Sequence, residues 1–251
     1  RIKEAGIPDG VINIVTGHGE PCGKVLTSHP LIARIAFTGG PQSAAHVIRN
    51  SAENFAELSL ELGGKSPFIV CEDADLESAV NGSVAGIFAS AGQSCVAGSR
   101  LYLQDSIADA FLEKMTAIAG SIQLGDPMEE ETQMGPLCTP AQLAHIEEQV
   151  SIARSEGGTV LTGGKRAEGM NGLYFEPTII TCDRQDMTIV DTELFGPVLS
   201  YCASGMRLRL LPWPMIPATV WRRGFSPGMA PVPCDWPTAS GPGLSGSTPI
   251  A

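Results

Sequence analysis

Two side chains in this 251-residue sequence sit where their types and neighbours suit acyl chemistry. Cys95 lies in Gly92-Gln93-Ser94-Cys95-Val96-Ala97-Gly98, after a predicted helix and before a predicted strand. Its small neighbours leave room for a substrate to reach the sulfur and for backbone N–H groups to face a developing oxyanion. By itself the residue has a plainer reading, because most free cysteines are small buried hydrophobes. Glu61 stands in Leu60-Glu61-Leu62-Gly63-Gly64-Lys65, an acid inside an apolar run followed by two glycines. Partial desolvation there would raise its pKa toward that of a general base working near neutrality. Pairing with Lys65, or plain exposure to water, is at least as good a reading of that residue alone. The four histidines are not grouped with Cys95 along the chain, so no Cys–His pair is argued. Phe37-Thr38-Gly39-Gly40 reads as a strand-to-helix turn whose backbone N–H groups can meet a phosphate. It lacks the G-x-G-x-x-G spacing and is a weak signal by itself.

The elements that would position these residues follow from hydrophobic periodicity. Residues 1–200 alternate short β-branched runs with longer amphipathic stretches, the pattern of an α/β protein with a largely parallel sheet. Strands are predicted at 11–16, 34–37, 58–62, 68–70 and 101–103. Pro41 suits the first turn of a helix, where its missing N–H would be unpaired anyway. The acids at 73–75 suit the cap of a helix running to about residue 91, and further helices are predicted at 107–118 and 139–156.

Composition narrows the class. With 43% hydrophobic and 17% charged residues the chain is globular, neither disordered nor collagenous. A net charge of −11 argues against a nucleic-acid partner or an anionic membrane surface, both of which need a basic face. No apolar run approaches the roughly 18 residues of a membrane span, and no leader-like segment precedes Arg1. The seven cysteines are scattered without a C-x-x-C, which suggests no disulfide framework, no metal site and a reduced, cytoplasmic setting. Composition also changes along the chain. Residues 201–251 hold 9 of the 19 prolines, all three tryptophans, four Arg against one Asp, and no Lys or Glu. Residues 1–200 hold 12 Lys+Arg against 26 Asp+Glu, so two kinds of sequence meet near Ser200.

Glu61-Leu62-Gly63-Gly64-Lys65-Ser66-Pro67 and Gly92-Gln93-Ser94-Cys95, with 34 positions between the two reactive residues, resemble the glutamate and cysteine signatures of the aldehyde dehydrogenase superfamily. Glu193-Leu194-Phe195-Gly196-Pro197-Val198 resembles that family's E-x-F-G-P-V segment, and Ala5-Gly6-Ile7-Pro8-Asp9-Gly10-Val11 and the 37–39 turn also match. The resemblance implies a Rossmann-like cofactor domain, of which residues 1–65 are the second half, followed by an incomplete α/β catalytic domain over 66–200. It implies oxidation of an aldehyde to a free acid with NAD or NADP, Cys95 forming a thiohemiacetal and then a thioester that Glu61 hydrolyses through water. It further implies cofactor contacts from Thr38, Gly39, Gly40, Leu62, Gly63, Glu193 and Phe195. Where the family usually carries Thr-Gly-Ser, Gly40 and Pro41 stand here, so a hydroxyl to a cofactor phosphate is absent. Complete members are about twice as long and form homodimers or homotetramers. The resemblance thus makes this chain a fragment that begins inside the cofactor domain and is inactive alone.

After Ser200 the resemblance stops. Back-translating residues 201–251 and reading each codon from its third base permits a string containing A-N-D-T and A-G-I-V-W-V-N, which resembles the family's own continuation. The expectation is a frameshift, leaving 201–251 an aberrant, disordered tail; a genuine Pro/Arg-rich segment is the alternative. Two other functional readings stay open on the residues alone: a non-catalytic pseudogene or gene-prediction product, and a cofactor-independent cysteine thioester hydrolase or esterase.

Overall fold

The computed structural model describes residues 1–202 and the backbone of residues 219–221. Arg34–Gly39 (β1) forms a strand with period-two burial, Ile35 and Phe37 turning inward between exposed Arg34, Ala36 and Thr38. Gly40 caps the next helix in extended backbone (φ −72°, ψ 155°), and Pro41 occupies its first turn. That helix follows Lys24–Ser28 (α1) in the chain and spans Pro41–Ser51 (α2). It buries Ala44, Val47 and Ser51, a spacing that puts all three on one face. Glu57–Leu62 (β2) then returns parallel to β1, paired from Arg34↔Glu57 to Gly39↔Leu62.

A second, six-stranded sheet is built from Pro67–Val70 (β3), Arg100–Leu103 (β4), Thr159–Thr162 (β5), Thr178–Cys182 (β6), Val198–Cys202 (β7) and Thr219–Trp221 (β8). Its order is β5-β6-β7-β4-β3-β8, with every neighbouring pair parallel except β5–β6. β3 and β7 are buried at every residue, as strands of a sheet covered on both faces must be. The connecting helices are Leu76–Phe88 (α3), Asp105–Ser121 (α4), Pro140–Ser155 (α5) and Thr188–Asp191 (α6). Asp75 caps α3 by accepting the Ser78 N–H at 2.8 Å, and Thr139 caps α5 by accepting the Gln142 N–H at 3.1 Å. α4 turns Ala108, Phe111, Met115 and Ala119 into a core that also takes Leu101, Ile146, Ile179 and Leu199. Among the described residues no helix is long and apolar enough to cross a membrane.

The structure departs from expectation in several places. Residues 11–16 form no strand; Val11, Ile14 and Val15 are exposed, and a β-branched run with no partner ladder gains nothing from extending. α3 stops at Phe88 rather than near 91, because Ser90, Ala91 and Gly92 all take left-handed backbone (φ 53°, 53° and 69°). Cys71, buried after β3, is disulfide-bonded although the cysteine scatter suggested no disulfide, whereas Cys22, Cys95, Cys138, Cys182 and Cys202 are free. The order expected to fail after Ser200 continues through buried Tyr201 and Cys202 at the end of β7. A tail segment, β8, pairs with β3 where disorder was expected. The rest of the tail, 203–218 and 222–251, lies outside the described residues.

Candidate active site

The register between β1 and β2 is the first device that assembles the site. It sets Thr38 beside Glu61 and Gly39 beside Leu62, so the turn expected to meet a phosphate and the glutamate motif leave one sheet edge together. Gly40 then opens α2 with no side-chain cap and with nothing within 4 Å of the position a Cβ would take. Backbone N–H groups of that first turn therefore face an open approach.

The glycines after Glu61 are the second device. The Glu193 carboxylate accepts the Gly64 N–H at 3.1 Å and lies so close over Gly63 that a Cβ there would meet Oε2 at 1.8 Å. A Cβ on Gly64 would come within 3.5 Å of the Cys95 carbonyl oxygen. Gly64 thus joins the glutamate motif to both the cysteine turn and the 193–198 segment. Gly64, Ser94, Glu193, Leu194 and Phe195 line one shallow cavity. Cys95 is exposed on a turn closed by the Ala97 N–H donating to the Ser94 carbonyl at 3.1 Å, which rejects its reading as a buried hydrophobe.

Glu61 is exposed, so the desolvation expected of it is not supplied here. The physical reason is its place on a two-stranded sheet, which among the described residues has no further strand beyond β2.

Three features were not read from the sequence. Gln142 on α5 donates its amide to the Leu194 carbonyl and, at 3.1 Å, to the Phe195 carbonyl, holding the segment that carries Glu193. Gln93 accepts the Cys138 N–H at 2.9 Å and donates to the Ser90 carbonyl at 3.2 Å, bracing the cysteine turn. Phe195 is 41% exposed with φ 48°, a left-handed backbone uncommon for an aromatic residue and typical of strained functional loops. Gln93 and Phe195 lie in the quoted motifs, but no local pattern announces these two sets of hydrogen bonds or the Phe195 backbone angle.

Gly92 is fixed by contact as well as by its positive φ. A Cβ there would sit 2.0 Å from the Gly196 carbonyl oxygen, a backbone atom that cannot swing away. Gly92→Ala is expected to cost about 1–3 kcal/mol of unfolding free energy, the range for forced overpacking, read by denaturant titration of the two proteins. An unchanged midpoint would contradict the packing of the cysteine turn against the 196–197 peptide.

Lys65 in the glutamate motif is a buried ammonium whose Nζ has no hydrogen-bond partner among the described residues. Burial, and after it the Arg100 charge, lowers its pKa to about 7 from the ordinary 10.5. Below about pH 7 the folded and unfolded chains are both protonated and the full cost of burying the charge is present. Between 7 and 10.5 the unfolded chain holds the extra proton, so stability rises with pH. Lys65→Met is expected to be more stable by about 1–4 kcal/mol at pH 6, as when other buried charges give way to apolar side chains. Thermal melts should show that advantage shrinking as pH rises toward 10; a constant advantage would contradict the account.

Known proteins are similar to this chain in sequence and fold. The Aldehyde dehydrogenase family profile matches residues 1–204, which extends the family match beyond the expected break at Ser200. The (Z)-2-((N-methylformamido)methylene)-5-hydroxybutyrolactone dehydrogenase of Acinetobacter baylyi is 52% identical over 200 residues, covering 79% of this chain and 41% of that protein. Aminoaldehyde dehydrogenase 1, peroxisomal, of Pisum sativum is 45% identical over 199 residues, covering 79% of this chain and 40% of its own length. The crystal structure of PnpE, from Pseudomonas sp. WBC-3, in complex with nicotinamide adenine dinucleotide superposes with a TM-score of 0.78 at 43% identity. That superposition covers 80% of this chain and 42% of PnpE. The chain spans about two fifths of the length of these relatives. With a profile match over most of its length and an ordered core of the same α/β fold, the chain belongs to the aldehyde dehydrogenase family.

Proposed function

We propose that residues 1–202 carry the nucleophile and the general base of an NAD(P)-dependent aldehyde dehydrogenase that releases a free acid. The observation that supports this best is the convergence at Gly63 and Gly64, which bear at once on the Glu193 carboxylate and the Cys95 carbonyl. The Cys95 thiolate attacks the aldehyde carbon to give a thiohemiacetal, and the exposed turn lets the substrate approach the sulfur. Small residues around that turn leave its backbone N–H groups free to face the developing oxyanion. Glu61 takes a proton from the water that adds to the thioester carbon, and the C–S bond then breaks to return the thiolate.

The residues present fit the nicotinamide end of the cofactor. Glu193 is half-buried beside Gly64, and the exposed Phe195 lines the same cavity. Glu193, Phe195, Leu62 and Gly63 would hold the nicotinamide and its ribose, while Thr38, Gly39 and Gly40 at the uncapped start of α2 would meet the phosphates. When bound, the nicotinamide supplies the hydride acceptor that turns the thiohemiacetal into a thioester.

The complete activity and its assembly into dimers or tetramers belong to a longer polypeptide, and the isolated chain turns over no aldehyde. Grafting residues 1–202 into the Acinetobacter relative in place of its matching segment tests the reading. The chimaera is expected to reduce NAD in the presence of an aldehyde. A folded, cofactor-binding chimaera without turnover would overturn the reading.

We also propose that the tail beyond the family match is a frameshift product. The abrupt change in charge and proline content supports this, together with a profile match that ends at residue 204. Sequencing the gene across codons 198–206 tests it; codons incompatible with the shifted reading would refute it.

A further inference from the structure

Outside the catalytic machinery, two thiols face each other beneath an exposed loop. Cys182 ends β6 and Cys202 ends β7, and the two are register partners on adjacent parallel strands. Register partners across a ladder are about 4.8 Å apart at Cα, within the range a disulfide spans. Both side chains are buried and both thiols are free. The Cys182 Sγ donates to the Ile180 carbonyl of its own strand at 4.0 Å. The Cys202 Sγ also reaches the Arg184 carbonyl at 3.9 Å, in the loop that leaves β6. That loop is exposed at residues 183–186, so a small movement of it admits a small oxidant to both sulfurs.

We propose that Cys182 and Cys202 form a peroxide-sensitive dithiol that closes to a disulfide, tying together the two ends of the segment that carries Glu193 and Phe195.

The surroundings assign the two roles. The neighbouring Cys182 thiol and the Arg100 guanidinium lower the pKa of Cys202 against its burial, while the neighbouring Cys202 and burial both raise that of Cys182. The Cys202 thiolate attacks one peroxide oxygen; the O–O bond breaks, hydroxide leaves, and Cys202 becomes a sulfenic acid. The Cys182 sulfur then displaces that hydroxyl, its own proton leaves with it as water, and the S–S bond forms. Two thiols are oxidised by two electrons, and one peroxide is reduced to two waters.

Closure would fasten β6 to β7 across α6 and the 193–198 segment. Oxidation thereby adds a covalent tie at the end of the β6–β7 ladder without consuming Cys95. This inference does not depend on the catalytic reading, because the pair lies on the sheet and not at the cavity.

The test treats the full chain with hydrogen peroxide, blocks remaining thiols with an alkylating agent, and maps tryptic peptides by mass spectrometry. Cleavage after Arg166, Arg184 and Arg207 separates the two cysteines into peptides 167–184 and 185–207. The expected product is those two peptides joined, with the loss of two hydrogen masses, reversed by dithiothreitol. Cys202→Ser should leave Cys182 alkylated and unlinked, with the circular dichroism spectrum reporting whether the variant keeps its fold. The proposal is overturned if both peptides stay alkylated at a peroxide dose that oxidises exposed Cys95. Linkage of either peptide to Cys95 or Cys138 in place of the expected pair would overturn it equally.

Discussion

Cys95→Ala in the chimaera is expected to lower aldehyde oxidation by about 10⁴-fold or more, the scale seen when a nucleophile is removed from a covalent mechanism. Cofactor binding should survive the change, because the residues assigned to the cofactor lie elsewhere. Glu193 is held by the Gly64 N–H, and the start of α2 is set by the β1 edge. Calorimetric titration with NAD and steady-state reduction of NAD therefore separate binding from chemistry. Turnover within tenfold of the parent would remove Cys95 from the mechanism. The exposed turn that holds it already distinguishes it from Cys182 and Cys202, which are buried. The physical basis is access: a thiol that must reach a diffusing carbonyl carbon needs an open face, and small neighbours on both sides provide it.

Glu61→Gln is the second large effect, and it should divide the reaction in two. The amide keeps the shape of the side chain but cannot take a proton from water, so thioester hydrolysis is expected to slow by about 10²–10⁴-fold. In the proposed mechanism, formation of the thioester does not require Glu61. A rapid burst of NAD reduction, about one equivalent per active site, should therefore be followed by a slow steady state. Loss of the burst along with the steady state would mean that Glu61 serves an earlier step. The exposure of Glu61 suits the hydrolytic role, since the base must meet water. Its register partner Thr38 and the adjacent Gly39↔Leu62 pair keep it beside the proposed phosphate turn, so one short sheet would serve both proposed roles.

How much of this could be read beforehand depends on where each residue finds its partners. Cys95 and Glu61 are legible because their motifs are local words: the glycines, the proline and the small residues that shape each turn sit within a few positions of the reactive atom. β1, β2 and β4 are legible for a similar reason, as short apolar runs bounded by turn residues. Residues 11–16 have the same composition as a strand and fail to form one, because a strand is completed only by a neighbour, which a single run cannot supply. Glu61 misled in the opposite direction. Its apolar flanks suggested burial, but Leu60 is only half-buried and Leu62 is exposed on this two-stranded sheet. Gln142 was invisible because its acceptors are two carbonyls more than 50 positions away, and glutamine on a helix reads as ordinary surface. Lys65 reads as a charged turn residue, yet the fold buries it with no hydrogen-bond partner among the described residues. Such a residue is found only once the sheet that encloses it is known.

The most direct test is to identify the covalent intermediate itself. The Glu61→Gln chimaera, mixed with NAD and an aldehyde and quenched in acid after the burst, is expected to carry an acyl group on the peptide containing Cys95. Mass spectrometry should find it there and on no other cysteine, in an amount matching the NAD reduced. Acyl label on a different residue, or full NAD reduction with an unmodified Cys95, would contradict the account.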